Sequence, residues 1–301
     1  MPKPGDKLSG PGELFVVSTP IGNLEDITVR ALRLLKECDV IACEDTRQTR
    51  KLLLRYSIDT RTVSYHEHNE KSRAAELLDE MRSGARVALV SDAGTPLVSD
   101  PGESLVLACI AAGIRVTPMP GPSATITALA ASGLPTERFL FLGFAPAKSS
   151  ERRREFHDLA AMCWPAVGGP ATLIFYEAPH RLKPMLADAA EIFGARRAAI
   201  ARELTKVHEE FVRGTLPELL TWAEKSEIRG EITLLIEGAS PQEKAAQRPA
   251  STPRRSLEDR VAELTAGGAM DRKSALKLAA RELGIKKRDA YRILLPQADR
   301  G

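Results

Sequence analysis

A run of small residues, prolines and aspartates behind an apolar stretch, VALVSDAGTPLVSDPG at 87–102, holds the densest chemistry of this sequence. Residues 87–90 have the pattern of a short strand covered on both faces, and Ser91 onward supplies turn chemistry at its carboxyl end. In open α/β sheets that end is where ligands bind. Asp92 and Asp100 accept hydrogen bonds from hydroxyls or amides. Gly94 and Gly102 permit positive φ or close backbone approach, and Pro96 and Pro101 stiffen the path. The same residues also suit a surface loop with capping aspartates. Three other loops, at 19–23, 121–124 and 230–233, are similarly rich in small residues. Gathered above one crevice, the four would let a flat ligand lie against backbone, with amides and the Thr95 and Ser123 hydroxyls as donors. A phosphate-loop motif G-x-x-x-x-G-K-[ST] is absent, as is G-x-G-x-x-G after a strand, so a ligand without a pyrophosphate fits better.

Holding four loops at one edge requires alternating strands and helices. LFVVS at 14–18 reads as a first buried strand and TPIGNLEDIT as the loop behind it. Asp26 or Thr28 then caps a helix in which Val29, Leu32, Leu35 and Cys38 recur at helical spacing. DVIAC at 39–43 is a second strand ending in a polar loop of Glu44, Asp45, Thr46 and Arg47. Strands at 62–65, 87–90 and 115–119 alternate with helices at 72–81 and 104–112, a β-α-β order. PGPSA at 120–124 breaks the pattern, and 125–132 reads as a close-packed helix opening a second unit. There FLFLGF, ATLIFYE, AAIARE and EITLLIE read as strands, and HEEFVRGT suggests antiparallel pairing in a mixed sheet.

These elements divide the 301 residues into a flexible tail at 1–12, an N-terminal α/β lobe at 13–120, a C-terminal α/β lobe at 121–240, a linker at 241–253 and a helical module at 254–301. LEDRVAELTAGG, DRKSALKLAARELGI and KKRDAYRILL predict three short amphipathic helices, and 274–294 has helix-turn-helix spacing, which suits RNA binding, plain packing or a dimer contact. Residues 241–301 contain 14 Lys/Arg against 8 Asp/Glu, whereas 1–240 contain 29 against 32. The basic excess therefore belongs to the tail module and points to a polyanion, a solvated helix surface being the alternative. No apolar run reaches the roughly eighteen residues of a membrane span. The four cysteines lack Cys-x-x-Cys spacing, so a reducing, cytoplasmic setting is expected, and the pair His66 and His68 has no cysteine framework that would make a metal site.

LFVVSTPIGNLEDIT, CEDTR, SDAGTPLVSDPG, PGPSA, FYEAPHRL, ARELTKVHEEFVRGTL and GEITLLIEG, seven segments in order over 13–240, together resemble the S-adenosylmethionine-dependent tetrapyrrole-methylase superfamily. Within it they are similar to the branch that methylates small-subunit ribosomal RNA. The resemblance implies a two-lobed α/β fold with a parallel-sheet N-lobe and a mixed-sheet C-lobe, plus a small helix-turn-helix-like module. It further implies a homodimer that binds S-adenosylmethionine between lobes and methylates the ribose 2′-hydroxyl of a cytidine in the decoding region of 16S rRNA, on the small ribosomal subunit. By position, the implied cofactor contacts are Asp92, Ala93, Gly94, Thr95, Pro96 and Val98, with Ile21, Ser123, Ala124, Tyr176, Ala178, Glu231, Ile232 and Thr233 from the other loops. Tetrapyrrole-modifying members usually carry an aspartate where Thr95 stands, which argues against a porphyrin or corrin substrate.

Transfer of a methyl group from a sulfonium to an oxygen depends on positioning and electrostatics, and a ribose hydroxyl benefits from a proton acceptor. Glu44, Asp45, His66, Glu177, His180 and Arg181 are the candidates, since they cluster at strand ends, where helix caps and salt bridges also occur. Arg47, Arg50, Lys51 and the run 152–154 are candidates for phosphate contacts. Methylation of a small tetrapyrrole or a protein side chain on the same fold, and a DNA-binding regulator with a ligand-sensing domain, are the competing classes.

Overall fold

The computed structural model describes residues 12–161, 171–239, 257–265, 270–282 and 290. The chain forms two compact units, residues 1–239 and 240–301. The first contains two five-stranded sheets. Strands β1 (Glu13–Val17), β2 (Val40–Cys43), β3 (Arg61–Ser64), β4 (Arg86–Val90) and β5 (Arg115–Met119) pair in parallel in the order β3-β2-β4-β1-β5. Helices α1 (Val29–Glu37) and α2 (Thr46–Arg55) cover one face through Leu34, Leu35, Leu52 and Leu53; α3 (Glu70–Arg82) and α4 (Glu103–Ala111) cover the other through Leu77, Met81, Leu105 and Cys109. Both faces are dry, so β2 and β4 read as unbroken apolar runs. The chain leaves β1 toward β2 and leaves β4 toward β5, in opposite directions across the sheet. That reversal opens a crevice at the carboxyl ends of β1 and β4.

The second sheet holds β6 (Phe139–Phe144), β7 (Thr172–Glu177), β8 (Arg197–Arg202), β9 (Glu210–Thr215) and β10 (Ile232–Ile236) in the order β6-β7-β10-β8-β9. Only β6 and β7 pair in parallel; the other three pairings are antiparallel, as HEEFVRGT suggests. Helices α6 (Ser149–Ala161), α7 (Pro179–Phe193) and α8 (Leu216–Lys225) pack on one face around Phe156, Phe175 and Leu186. The other face meets α5 (Ala124–Ser132) through Ala128 and Leu129. Ile21, from the loop after β1, joins that same cluster, so the crevice is floored by both sheets.

Two expectations need correction. The residues after β2 do not form an open polar loop: Asp45 accepts the Arg47 amide at 2.8 Å and caps α2. The run 152–154 is not a free phosphate contact either. Arg152 is 3% exposed and donates to Asp188 Oδ2 at 2.8 Å through Nε, while Arg153 pairs with Asp188 and Glu191, leaving only Arg154 exposed. Desolvated guanidinium needs a buried acid, and α7 supplies it.

The second unit, taken by itself, has α9 (Leu257–Thr265) and α10 (Arg272–Glu282), packed through Leu257, Val261, Leu276 and Ala280. Asp271 caps α10 by accepting the amides of Lys273 and Ser274. The third expected helix lies outside the described residues apart from buried Ala290, as do the tail before Gly12 and the linker. No described helix is long and apolar enough to cross a membrane.

Candidate active site

The loop between β4 and α4 owes its course to left-handed backbone. Gly94 (φ +81°) and Gly102 (φ +143°) adopt it freely, whereas Leu97 (φ +72°) and Ser99 (φ +67°) hold it at a cost of order 1–3 kcal/mol each. The neighbouring loops impose that path. Gly94 and Thr19 exchange both backbone hydrogen bonds, at 2.9 and 3.0 Å, and the Thr19 hydroxyl donates to the Ser91 carbonyl at 3.0 Å. Thr95 Oγ1 lies 3.0 Å from Ser18 Oγ and donates to the Pro122 carbonyl at 3.2 Å. A Cβ at Gly121 would stand 2.7 Å from Ser18 Cβ, so glycine is needed where the 120–124 turn crosses β1. Thr95 is therefore a stitch between three loops before it is a ligand donor.

These loops and the facing edge of the second sheet enclose a cavity of about 360 Å³. Of the residues expected to hold a cofactor, Ile21, Ala93, Gly94, Thr95, Val98, Ser123, Ala124, Tyr176, Ala178, Glu231, Ile232 and Thr233 line it. Asp92 and Pro96 are not among the lining residues. Asp92 Oδ1 instead accepts the Asp45 amide at 3.0 Å, which ties the loop to the start of α2. Tyr176 is held by a 2.8 Å hydrogen bond between its hydroxyl and Thr125 Oγ1, and its ring meets Phe141 and Phe144 edge-on at 4.8 and 5.9 Å. Phe144, 57% exposed, forms part of the wall.

The expected catalytic set disperses. Glu177 alone lines the cavity, and its carboxylate is sealed: Oε1 accepts the Ala178 amide at 2.8 Å and lies 3.0 Å from Arg181 Nε, while Oε2 is buried with no hydrogen-bond partner. Burial raises its pKa above the usual carboxylate value, with the Ala178 amide and Arg181 opposing. Arg181 also donates to the Ala145 carbonyl, and His180 is exposed on the first turn of α7. Asp45 is occupied as the α2 cap, its carboxyl held down to about 2 by its hydrogen bonds with Arg47. Glu44 and His66 stand together beyond the lining residues. Burial and Asp92 push the Glu44 carboxyl up while His66 opposes, and His66 Nδ1 is buried without a partner.

Asp100 was legible as part of the loop but not as its titrating group. It lines the cavity, and burial first, then the charges of Glu44 and Asp92, raise its carboxyl to about 6, with the Ser91 hydroxyl opposing. The acids arrive from β2 and β4, so only the sheet order brings them together. Phe144 and Ala201 of the second sheet, and Pro179 and Leu204 just past β7 and β8, add to the lining. The strand patterns locate Phe144 and Ala201, but nothing in the sequence aims them at a ligand. Three carboxylates, Asp100, Glu177 and Glu231, line this cavity, and no Lys, Arg or His is among the lining residues, although Arg181 pairs with Glu177 from behind the wall. Lys206 partly compensates Glu231 at 2.9 Å. A cavity so lined favours a cation over a phosphate.

The parallel sheet, the mixed sheet and the crevice between them define a methylase of known architecture. The family model described as Tetrapyrrole (Corrin/Porphyrin) Methylases matches residues 13–220. In the crystal structure of uroporphyrin-III C-methyl transferase from Thermus thermophilus complexed with S-adenyl homocysteine, the same fold recurs at a TM-score of 0.51 and 21% identity, over 75% of this chain and 97% of that one. At closer range, ribosomal RNA small subunit methyltransferase I of Halalkalibacterium halodurans is 48% identical over 282 residues, covering 94% of each chain. The protein of the same name from Escherichia coli O157:H7 is 46% identical over 289 residues, 95% of this chain and 96% of that one. The chain belongs to the tetrapyrrole methylase family and, within it, to the ribosomal RNA small subunit methyltransferase I group. It is a methyltransferase.

Proposed function

We propose that this methyltransferase moves the methyl group of S-adenosylmethionine onto the ribose 2′-hydroxyl of a cytidine in the decoding region of 16S ribosomal RNA, acting on the small ribosomal subunit in the cytoplasm. The observation that carries the reading is the cavity itself, lined by three acids, small residues and backbone, with no cation among the lining residues. S-adenosylmethionine supplies a sulfonium, so an acid-lined site suits it. Ile21, Val98, Leu204 and Ile232 offer apolar contact, and Gly94 and Ala93 let backbone approach. The amides at the start of α5, next to Ser123 and Ala124, suit a carboxylate.

The names of the relatives support ribosomal RNA as substrate. Asp100 supports a hydroxyl acceptor. It is the lining carboxylate raised toward neutrality without being sealed behind the wall, so it takes the 2′-hydroxyl proton as the oxygen attacks. Carbon methylation of cytosine calls for a cysteine nucleophile. The described cysteines, Cys38, Cys43 and Cys109, are all buried, none lines the cavity, and burial pushes their thiols up, Cys38 to about 12 and Cys109 to about 11. A homodimer accompanies this reading, supported by Leu107 and Ile110 of α4, which stand 56% and 62% exposed; the mass of the purified chain in solution tests it. For the reaction, unmodified small subunits are incubated with labelled cofactor, and the nucleosides are resolved by mass spectrometry. Label on a ribose is expected. Label on a base, or label that persists when the target ribose is replaced by deoxyribose, overturns the proposal.

A further inference from the structure

Most arginines of the first unit are committed. Arg152 is locked to Asp188, Arg197 to Glu237, and Arg202 to Glu210. The outer faces of α1 and α2 are different. Arg30, Arg33 and Lys36 on α1, and Arg47, Arg50, Lys51 and Arg55 on α2, are all exposed. Against these seven cations the two helices carry a single acid, Glu37, which faces Arg86 at 3.5 Å. Among the described residues only Arg47 of the seven has an ion pair, with its own cap Asp45, and that guanidinium is 87% exposed. The unit as a whole has a slight acidic excess, so the concentration is local.

Position adds to composition. Both helices cover the same face of the first sheet, and Tyr56 at the end of α2 donates its hydroxyl to the Leu24 carbonyl, just before α1, at 2.6 Å. Each starts at the carboxyl edge of that sheet, the edge at which the cavity opens. Ile21 lines the cavity shortly before α1, and the Asp45 amide at the start of α2 bonds Asp92 of the cavity loop. On α2 the spacing 47, 50, 51 places successive cations on one face.

We propose that the outer face of α1 and α2 binds the phosphate backbone of the RNA that flanks the acceptor nucleotide. Phosphates cannot enter an acid-lined cavity, and this face holds them at its edge while a neutral ribose reaches in. The inference rests on RNA as substrate but not on which atom is methylated.

The test removes four charges, Arg30→Gln, Arg33→Gln, Arg50→Gln and Lys51→Gln, from the full chain. A control chain carries Lys71→Gln, Arg82→Gln, Lys183→Gln and Lys225→Gln, exposed cations on other helices. Affinity for protein-free small-subunit ribosomal RNA is measured across a salt series, beside cofactor affinity and methyl transfer. Four lost phosphate contacts lower the slope of log affinity on log salt by about 2.8 to 3.6. Between about 50 and 200 mM salt the parent should therefore lose about 50- to 150-fold more affinity than the variant. The KM for RNA should rise, with kcat at saturating RNA and cofactor affinity retained. An unchanged slope, or an equal fall in the control chain, overturns the proposal. So does weakened binding to intact subunits with normal binding to protein-free RNA, which would assign the face to a ribosomal protein. Normal RNA binding by the parent with label on a base would instead sink the acceptor assignment and leave this surface standing.

Discussion

Replacing Asp100 with asparagine should make the protein more stable and less active at once, because one half-buried charge is responsible for both properties. The folded chain raises this carboxyl from 3.8 to about 6, chiefly by burial and then by Glu44 and Asp92. A carboxyl whose folded value lies above its unfolded value destabilises the fold once it ionises. The penalty is absent below about pH 4, grows between 3.8 and about 6, and is complete above that window. At about 1.4 kcal/mol per tenfold change in acidity, the gap sets a ceiling near 3 kcal/mol. Water reaches part of the group, which brings the expected gain for Asp100→Asn to about 1–2 kcal/mol at neutral pH, with none at about pH 4. Denaturant unfolding at both pH values measures this difference. Single-turnover transfer at saturating cofactor measures the other half: loss of a proton acceptor costs about 10²- to 10⁴-fold. The parent rate should climb through about pH 6 and level off, and the variant should stay flat. A variant within a few-fold of the parent, or a parent rate indifferent to pH 6, would remove Asp100 from the chemistry. Equal stability of both chains at neutral pH would show that the carboxyl is not desolvated as described.

Gly94→Val should weaken cofactor binding in a folded chain, because position 94 has φ +81°, which a β-branched residue rarely adopts, and the course of the lining loop depends on it; undiminished calorimetric affinity would refute the loop assignment. Asp188→Ala should cost about 3–5 kcal/mol in chemical unfolding, since it strands the buried Arg152 guanidinium. Removing residues 254–301 should weaken RNA binding and flatten its salt dependence while leaving cofactor affinity intact, and equal binding across a salt series would assign that module another role.

What could be read in the sequence was whatever local chemistry determines. The dry strands announce themselves as apolar runs, and the loop after β4 does so through Gly94, Pro96 and Gly102, whose backbone preferences need no partner. α2 escaped notice because TRQTRKLLLR shows no apolar periodicity before Leu52, and a buried Thr49 does part of the work of a hydrophobic residue. Arg152 looked like its neighbours because the acid that buries it lies 36 residues away on another helix. The charge on Asp100 was invisible for the same reason: Glu44 approaches only because β2 and β4 are paired. Asp45 and Glu177 show the converse. Their strand-end positions are compatible with catalysis, and only the structure reveals that one is occupied as a cap and the other is sealed by Ala178 and Arg181.

The distribution of charge constrains the reaction more tightly than any single residue. On the proposed reading, the cofactor brings a cation and the substrate is a polyanion, and the two must meet at one atom. A basic cavity would attract phosphate and repel the sulfonium; this one, lined by Asp100, Glu177 and Glu231, does the reverse. The cations that would draw RNA lie outside, on α1 and α2. The part of a nucleotide able to enter is then its uncharged part, the ribose or the base. With Cys38, Cys43 and Cys109 buried and their thiols raised, carbon attack on the base has no described nucleophile to start it. A hydroxyl beside a carboxylate poised near pH 6 needs nothing further from the protein than to be held still.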